Sequence, residues 1–279
     1  MPNPIADPFV EVPDTDAQSD LVLIEATPEG AVTVTMNRPD KKNAFNAELI
    51  GALRENFETL RDQETLRVVF VRGAGGAFSA GADLEWMREA ADQTEGDNRD
   101  DALQLAVMLK HLYDIPALTV ALVEGPAYGG GAGIVAACDM AIATADARFA
   151  FSEVKLGLIP ATVSPYVVAA IGTRMTRRLF ASGEGFDAEF ARGIGLVDQV
   201  VADTAGLEGA RAKLVADVLA CAPLAMGEAK KLVDEVAWRP VDHALMSHTA
   251  HRLAAQRTSA EGQEGVRAFL ERRKPSWSD

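Results

Sequence analysis

Two hydrophobic patterns alternate along the 279-residue chain. Short β-branched runs, such as residues 67–71 and 117–123, are each followed by a glycine-rich turn and then by apolar residues at helical spacing. Residues 21–27 and 31–36 flank a Pro-Glu-Gly turn and predict a β-hairpin. The order strand, turn, helix is typical of layered α/β proteins, so we predict an α/β fold.

Helices can be located by the same patterns in the first half of the chain. Asn46 is placed to cap the first of them. The apolar face of that helix comprises Leu49, Ile50, Leu53, Phe57 and Leu60. Residues 92–101 are polar and acid-rich, which predicts an exposed, mobile stretch before a helix over 102–113. Residues 131–138 predict a helix of small, tightly packed side chains.

The chain divides into three parts. Residues 1–19 are rich in proline and acidic residues and predict a loose, solvated tail. Residues 20–201 repeat strands and helices with short connections and are expected to form one core domain. In residues 202–279 the strand pattern fades, and this segment is expected to pack on the core or on another subunit. Its predicted helices are 207–220, 224–238 and 241–256.

The composition argues against several classes of partner. The chain has 27 Lys and Arg against 41 Asp and Glu, a net charge of −14, so we do not expect a nucleic-acid partner. No apolar run reaches the roughly 18 residues of a membrane span, and no signal pattern opens the chain, so we expect a cytoplasmic protein without membrane contact. The two cysteines lie far apart without zinc-like spacing, and we expect no metal site.

Two glycine-rich loops and one carboxylate carry the candidate chemistry. Residues 78–83 and 128–131 each follow a strand-like run and can present backbone N–H groups, from Ala82 and Gly130, to one point. Two such donors stabilise a developing oxyanion, and Glu153 can move protons beside it. The loops match neither the dinucleotide-binding nor the P-loop pattern. The sequence therefore indicates chemistry on an activated carbonyl.

Six motifs lie in order between about residues 21 and 277. They are Asn37-Arg38-Pro39, Asn43-Ala44-Phe45-Asn46, Phe78 to Leu84, Val123 to Gly131, Cys138-Asp139 and Leu156 to Pro160. Together they resemble the enoyl-CoA hydratase/isomerase (crotonase) superfamily. The resemblance implies a spiral of ββα units whose C-terminal helices form trimers that often pair into hexamers. It also implies an acyl-CoA thioester, bound through the N–H groups of Ala82 and Gly130, with CoA as part of the substrate and no separate cofactor.

The resemblance further implies three groups of substrate-binding residues. Those near the CoA phosphates and adenine are Arg38, Lys41, Ala80, Asp83 and Leu84. Trp86 and Met87 are expected beside the acyl chain, with core packing as the alternative. Phe269 and Lys274 are expected to reach the CoA site of a neighbouring subunit.

One position departs from the family pattern. Hydratases of the main type carry two catalytic glutamates; the second is matched by Glu153, but the first falls on Gly133. We expect a glycine at that position to leave room for a branched or carboxylated acyl chain. Residues 151–167 resemble the methylglutaconyl- and isohexenylglutaconyl-CoA hydratases, so we predict a hydratase acting on such a 2-enoyl-CoA.

Alternatives stay open at this point. A lone glutamate suffices to move a proton from the α-carbon to the γ-carbon, which is the Δ3,Δ2-enoyl-CoA isomerase reaction. The missing acid also permits a non-catalytic acyl-CoA-binding protein. Asp139 or Glu124 is a candidate second acid that assists Glu153.

Overall fold

The computed structural model describes residues 21–63 and 66–278, which form a mixed α/β fold as predicted. The predicted tail, residues 1–19, lies outside the described residues. The strands are β1 Val22–Ala26, β2 Ala31–Met36, β3 Val68–Gly73, β4 Leu118–Val123, β5 Pro126–Tyr128, β6 Met140–Thr144, β7 Arg148–Ala150, β8 Gly185–Asp187 and β9 Gln199–Val201. The α-helices are α1 Ala47–Arg61, α2 Leu84–Ala91, α3 Glu95–Tyr113, α4 Gly130–Ala137, α5 Ser164–Ser182, α6 Ala188–Gly193, α7 Thr204–Leu219, α8 Pro223–Val236, α9 His243–Thr258 and α10 Ala260–Glu271. Short 3-10 helices are Pro39–Lys41, Glu153–Leu156 and Ser276–Ser278.

The strands form two sheets. The larger has the order β1-β2-β3-β4-β6-β9, in which β1 and β2 are the predicted antiparallel hairpin and the other neighbours are parallel. The smaller has the order β5-β7-β8. Both β4 and β6 lie in the larger sheet, and the strand that follows each of them lies in the smaller one. The chain therefore passes from the larger sheet to the smaller one before α4 and again before α5, as in a spiral of ββα units.

The central strands of the larger sheet are covered on both faces. Val69 and Val71 of β3 belong to the main core, together with residues of α1, α3, α4 and α5. The alternate residues Val68 and Phe70 belong to a second cluster, closed by Leu207 and other residues of α7. Continuous burial of this kind is expected for parallel strands between two helical layers. Helix α7 thus completes the core, although it lies in the predicted C-terminal segment.

The last three helices bury little of their own surface. Their buried residues within the described chain are Gly227, Leu245 and Ala268. Large apolar side chains are exposed at the ends and sides of these helices, including Trp238 at 94% and Phe269 at 82% of their surface. None of the helices in residues 21–63 and 66–278 is long and apolar enough to cross a bilayer.

The prediction for α1 is confirmed, whereas the prediction for the chain before α3 is partly wrong. In α1, Asn46 accepts a hydrogen bond from the N–H of Leu49 at 3.0 Å, and the predicted apolar face is the buried one. Residues 92–101 are largely exposed, but α3 already begins at Glu95, so the prediction of a mobile stretch is wrong over most of that range. A capping box between Thr94 and Asp97 satisfies the first N–H groups and starts the helix early.

Candidate active site

A short β-bridge fixes the first glycine loop. The N–H of Phe45 donates to the carbonyl of Gly81 at 2.7 Å, and the N–H of Asp83 donates to the carbonyl of Phe45 at 2.8 Å. Ala82 lies between these two bonds, and in a parallel bridge its own N–H takes no part in them. That N–H has no acceptor among the residues that the structure describes. The loop therefore holds one free backbone donor in a fixed position.

A second bridge joins this loop to the next one. Ser79 donates to the carbonyl of Pro126 and accepts from the N–H of Tyr128, both at 2.9 Å. The N–H of Gly129 donates to the last carbonyl of β7, also at 2.9 Å. Gly130 is the first residue of α4, so its N–H has no acceptor within the helix. This second free donor lies at the positive end of the α4 dipole.

The glycine run allows these loops to approach closely. Gly129 has φ +52° and ψ −117°, a conformation that other residues rarely adopt. A Cβ at Gly131 would lie 2.7 Å from the Cβ of Ser79, so a side chain there would push the two loops apart. A Cβ at Gly129 would lie 3.1 Å from Oε1 of Glu153. The carboxylate predicted from the sequence thus packs directly against the second loop.

Glu153 begins the 3-10 helix that follows β7, and its side chain is half-buried. Its Oε2 atom is buried and has no hydrogen-bond partner within the described part of the chain. Burial raises the pKa of the carboxyl because desolvation disfavours the charged form. A carboxyl with a raised pKa and a free oxygen is suited to accept and return a proton.

One cavity of about 460 Å³ brings these groups together. Its wall contains both residues with free N–H groups and Glu153. Of the sequence-predicted residues, the structure places Ala80, Ala82, Leu84, Trp86, Met87, Gly130 and Glu153 in this wall. The remaining wall is largely apolar, with Leu156, Leu158 and Ile159 among its residues. A carbonyl oxygen held by the two N–H groups would therefore lie in the same cavity as the Glu153 carboxyl.

Comparison with known proteins decides the family. A family model described as enoyl-CoA hydratase/isomerase matches residues 26–279. The chain belongs to the enoyl-CoA hydratase/isomerase family. It is an enzyme of the hydratase/isomerase type, and an acyl-CoA substrate fits this family.

Individual relatives cover nearly the whole chain. The solved structure of an enoyl-CoA hydratase from Shewanella pealeana is 35% identical with a TM-score of 0.89, covering 94% of this chain and 97% of that one. AtuE of Pseudomonas aeruginosa is 36% identical with a TM-score of 0.88, covering 93% and 100%. Carnitinyl-CoA dehydratase of Salmonella typhi is 30% identical over 249 residues, 88% of this chain and 93% of that protein.

Several family-based assignments find a different place in the structure. Arg38 lies outside the cavity wall, and its guanidinium, 13% exposed, binds the carboxylate of Asp83 at 2.9 Å and the carbonyl of Ala44. Asp83 caps α2 through the N–H of Glu85, and this bond together with Arg38 holds its pKa below the usual range. Arg38 and the Asp83 side chain therefore stabilise the first loop, and the contacts of Arg38 and of the Asp83 backbone with CoA stay predictions.

The remaining predicted CoA contacts lie at the surface of this chain. Lys41 is 43% exposed and forms an ion pair with Glu85 at 3.3 Å. Phe269 and Lys274 lie at the end of the chain, outside the cavity wall. Their contact with the CoA site of a neighbouring subunit stays a prediction.

The expectation of free space at Gly133 is wrong. Gly133 is buried within α4, and a Cβ there would lie 2.2 Å from Cγ1 and 2.8 Å from Cβ of Val163. Val163 fills the volume that the missing glutamate would need, and it is Val163 that lines the cavity. The lost acid is thus replaced by an apolar side chain and not by an opening.

Neither candidate second acid reaches the cavity. Asp139 accepts hydrogen bonds from Thr119 and pairs with Lys230 at 2.6 Å. Glu124 pairs with Arg72 at 3.0 Å and also accepts from Thr204. The second carboxylate in the cavity wall is Asp101 of α3, which the sequence reasoning missed. The capping box between Thr94 and Asp97 is the sequence signal that places Asp101 on a helix.

The packing of Gly133 against Val163 can be tested by a double-mutant cycle. Gly133→Ala is expected to lower the free energy of unfolding by about 1–3 kcal/mol, because the new methyl overlaps Val163. Val163→Ala in the same chain should recover part of this loss by removing Cγ1, although Cβ of residue 163 stays 2.8 Å from the new methyl. Urea unfolding of the four proteins measures the coupling. Equal losses for Gly133→Ala with Val163 and with Ala at position 163 would contradict the packing.

Proposed function

We propose that this protein adds water across the double bond of a 2-enoyl-CoA thioester, with Glu153 as the acid and base. The observation that supports this most is the presence of two free backbone donors and a half-buried, unpaired carboxyl in one cavity. CoA enters as part of the substrate. Hydration changes no oxidation level overall, so the proposal includes no further cofactor.

The two N–H groups act on the thioester carbonyl. As the oxygen of water bonds to C3, the electrons of the C2=C3 bond move toward the carbonyl oxygen. The N–H groups of Ala82 and Gly130 donate to that oxygen, and the dipole of α4 favours the same negative charge. Donors that are fixed before the substrate arrives need no reorganisation at this step.

Glu153 moves the proton. Its ionised form takes one proton from the attacking water, and the resulting acid gives a proton to C2 as the thioester carbonyl re-forms. One carboxyl can do both because it meets the same face of the double bond, which gives syn addition. The raised pKa supports this dual use, since it brings the pKa of the carboxyl closer to neutral pH than that of an ordinary glutamate.

The charges in the cavity wall restrict the acyl chain. Among the described residues, the wall contains no Lys, Arg or His, but it contains the carboxylates of Asp101 and Glu153. A distal carboxylate, as in a methylglutaconyl chain, would find no opposite charge there and two like charges. We therefore propose an acyl chain without a carboxylate, either branched or straight. The resemblance to the methylglutaconyl-CoA subgroup stays a prediction that this wall does not favour.

A second candidate function is Δ3,Δ2-enoyl-CoA isomerisation. It is supported by Val163, which excludes a second acid near Gly133 and makes the wall drier there. Glu153 alone would take a proton from C2 of a 3-enoyl-CoA and return it to C4. Incubation with 2-enoyl- and 3-enoyl-CoA separates the two: hydration removes the conjugated absorbance of the first, and isomerisation creates it from the second.

Glu153→Gln is expected to lower kcat by at least about 10²-fold for either reaction, because the amide cannot exchange the proton. Binding of a saturated acyl-CoA should persist, since the two N–H donors remain. Steady-state kinetics and calorimetric binding measure the two effects. Glu48→Gln, at an exposed carboxyl of α1, is the matched control. Full activity of Glu153→Gln would remove this residue from the mechanism.

The pH profile follows from the raised pKa. Because the ionised carboxyl takes the first proton, kcat/KM should rise with pH through a midpoint above 4.5, the ordinary value for glutamate. Burial favours the protonated form, so ionisation above the unfolded-state pKa of Glu153 lowers the free energy of unfolding. Glu153→Gln should accordingly be more stable than the unsubstituted protein at neutral pH. Profiles of kcat/KM from about pH 4 to pH 9 measure the first effect, and urea unfolding measures the second. A kcat/KM midpoint at or below 4.5 would contradict the raised pKa.

We also propose that α8–α10 join three copies of the chain. The exposed apolar side chains of this segment support an interface, since large apolar patches on a monomer mark contact sites. Light scattering should give three times the chain mass, or six times for paired trimers. Phe269→Glu should reduce that mass, whereas Leu103→Glu, at an exposed leucine of α3, should not. A monomeric unsubstituted protein would refute the proposal.

A further inference from the structure

We infer that Asp101 and Asn98 make the cavity selective for acyl chains whose distal end carries a hydroxyl or ammonium group. The inference rests on the proposed acyl-CoA function, whose substrate class it narrows. The residues concerned lie on one face of α3. Asn98, Asp101, Ala102 and Leu105 all line the cavity, and their spacing places them on a single stripe of the helix.

Asp101 is the carboxylate of this stripe and has no bound partner. It forms no hydrogen bond or ion pair with any residue that the structure describes. Two other aspartates of α3 do have partners. Asp97 closes the capping box with Thr94, and Asp100 pairs with Arg99 at 2.9 Å. A half-buried carboxylate in a cavity wall is most stable when a donor or a cation meets it.

Asn98 adds an acceptor one turn earlier. Its amide nitrogen donates to the carbonyls of Ala90 at 2.9 Å and Thr94 at 3.1 Å. The two amide hydrogens are thus used within the α2–α3 connection, and Oδ1 has no donor among the described residues. The stripe therefore offers acceptors without donors to a ligand in the cavity. The ring of Trp86 in the same wall also tolerates a cation, since an aromatic face attracts positive charge.

We assign these acceptors to the distal part of the substrate because α3 supplies them, whereas the two glycine loops and the 3-10 helix at Glu153 supply the groups assigned to the reacting carbons. The thioester carbonyl is assigned to Ala82 and Gly130, and Glu153 packs on the loop at Gly129. Asp101 forms no hydrogen bond with either loop. In a cavity of about 460 Å³, a group held by α3 is then most simply the far end of the acyl chain. A hydroxyl or ammonium there gains a charge-assisted bond, a methyl gains none, and a carboxylate is repelled.

The test measures binding and not turnover. Saturated CoA thioesters can be neither hydrated nor isomerised, so calorimetric affinities do not depend on which reaction occurs. Hexanoyl-, hydroxyhexanoyl-, aminohexanoyl- and adipoyl-CoA, with the substituents at the chain end, present a methyl, a hydroxyl, an ammonium and a carboxylate. Their octanoyl counterparts extend the series to a longer chain. We expect the hydroxyl and ammonium forms to bind about tenfold tighter than the methyl form, and the carboxylate form to bind most weakly.

Asp101→Asn removes the charge with little change of shape. It should reduce the differences in affinity among the ammonium, methyl and carboxylate forms about tenfold. Asp100→Asn, the exposed neighbour, should leave the whole series as it is. Equal weakening of all thioesters by Asp101→Asn would mean that Asp101 contacts the CoA moiety, and unchanged affinities would mean no contact; both results overturn the inference.

The inference and the proposed function can fail separately. The expected preference without turnover of any enoyl-CoA would leave the inference standing and refute the enzyme mechanism. Turnover without the preference would do the reverse. Absence of binding by every thioester would overturn both.

Discussion

The hydrogen bonds that join the two glycine loops determine what the rest of the site can do. Phe45 pairs on both sides of Ala82, and Ser79 pairs on both sides of Ala127. The first bridge leaves the N–H of Ala82 free, and the second joins the two loops just before Gly130, whose N–H is free because it begins α4. Two unpaired donors destabilise a folded chain, and the surrounding ladder offsets that loss. The site therefore has its charge-stabilising groups in place before any ligand binds.

Packing around the loops limits which residues can follow them. Gly129 and Gly131 permit the close approach that brings Glu153 against the second loop. One turn further along α4, Val163 fills the space beside Gly133 and keeps a second acid out. The proposed mechanism accordingly uses the Glu153 carboxyl alone. Val163 and Glu153 both line the cavity, and burial of the Glu153 carboxyl raises its pKa.

The sequence was sufficient for features that depend on local signals. The cap and buried face of α1, the β-hairpin, the two donor loops and Glu153 were all predicted from residues close together in the chain. Features that depend on distant partners were missed: Val163 against Gly133, and Arg38 against Asp83, which are 30 and 45 positions apart. Asp101 was missed for another reason. The acidic composition of residues 92–101 predicted a mobile stretch, although the capping box between Thr94 and Asp97, which starts a helix there, was present in the sequence.

Arg38 is paired with Asp83. The proposed binding of CoA would therefore depend on other, more exposed cations of the surface. The chain has a net charge of −14, and the described cavity wall has no cation, so the proposed binding of CoA would need positive charge outside the cavity for its phosphates. Lys41 qualifies because its ion pair with Glu85 is exposed on both sides, and exposed pairs contribute little stability. A polyanionic phosphate can displace Glu85 at small cost, whereas taking Arg38 from the buried carboxylate of Asp83 would leave that carboxylate unpaired. Arg38 thus holds the donor loop, whereas the predicted contact of Lys41 with CoA would break only an exposed ion pair.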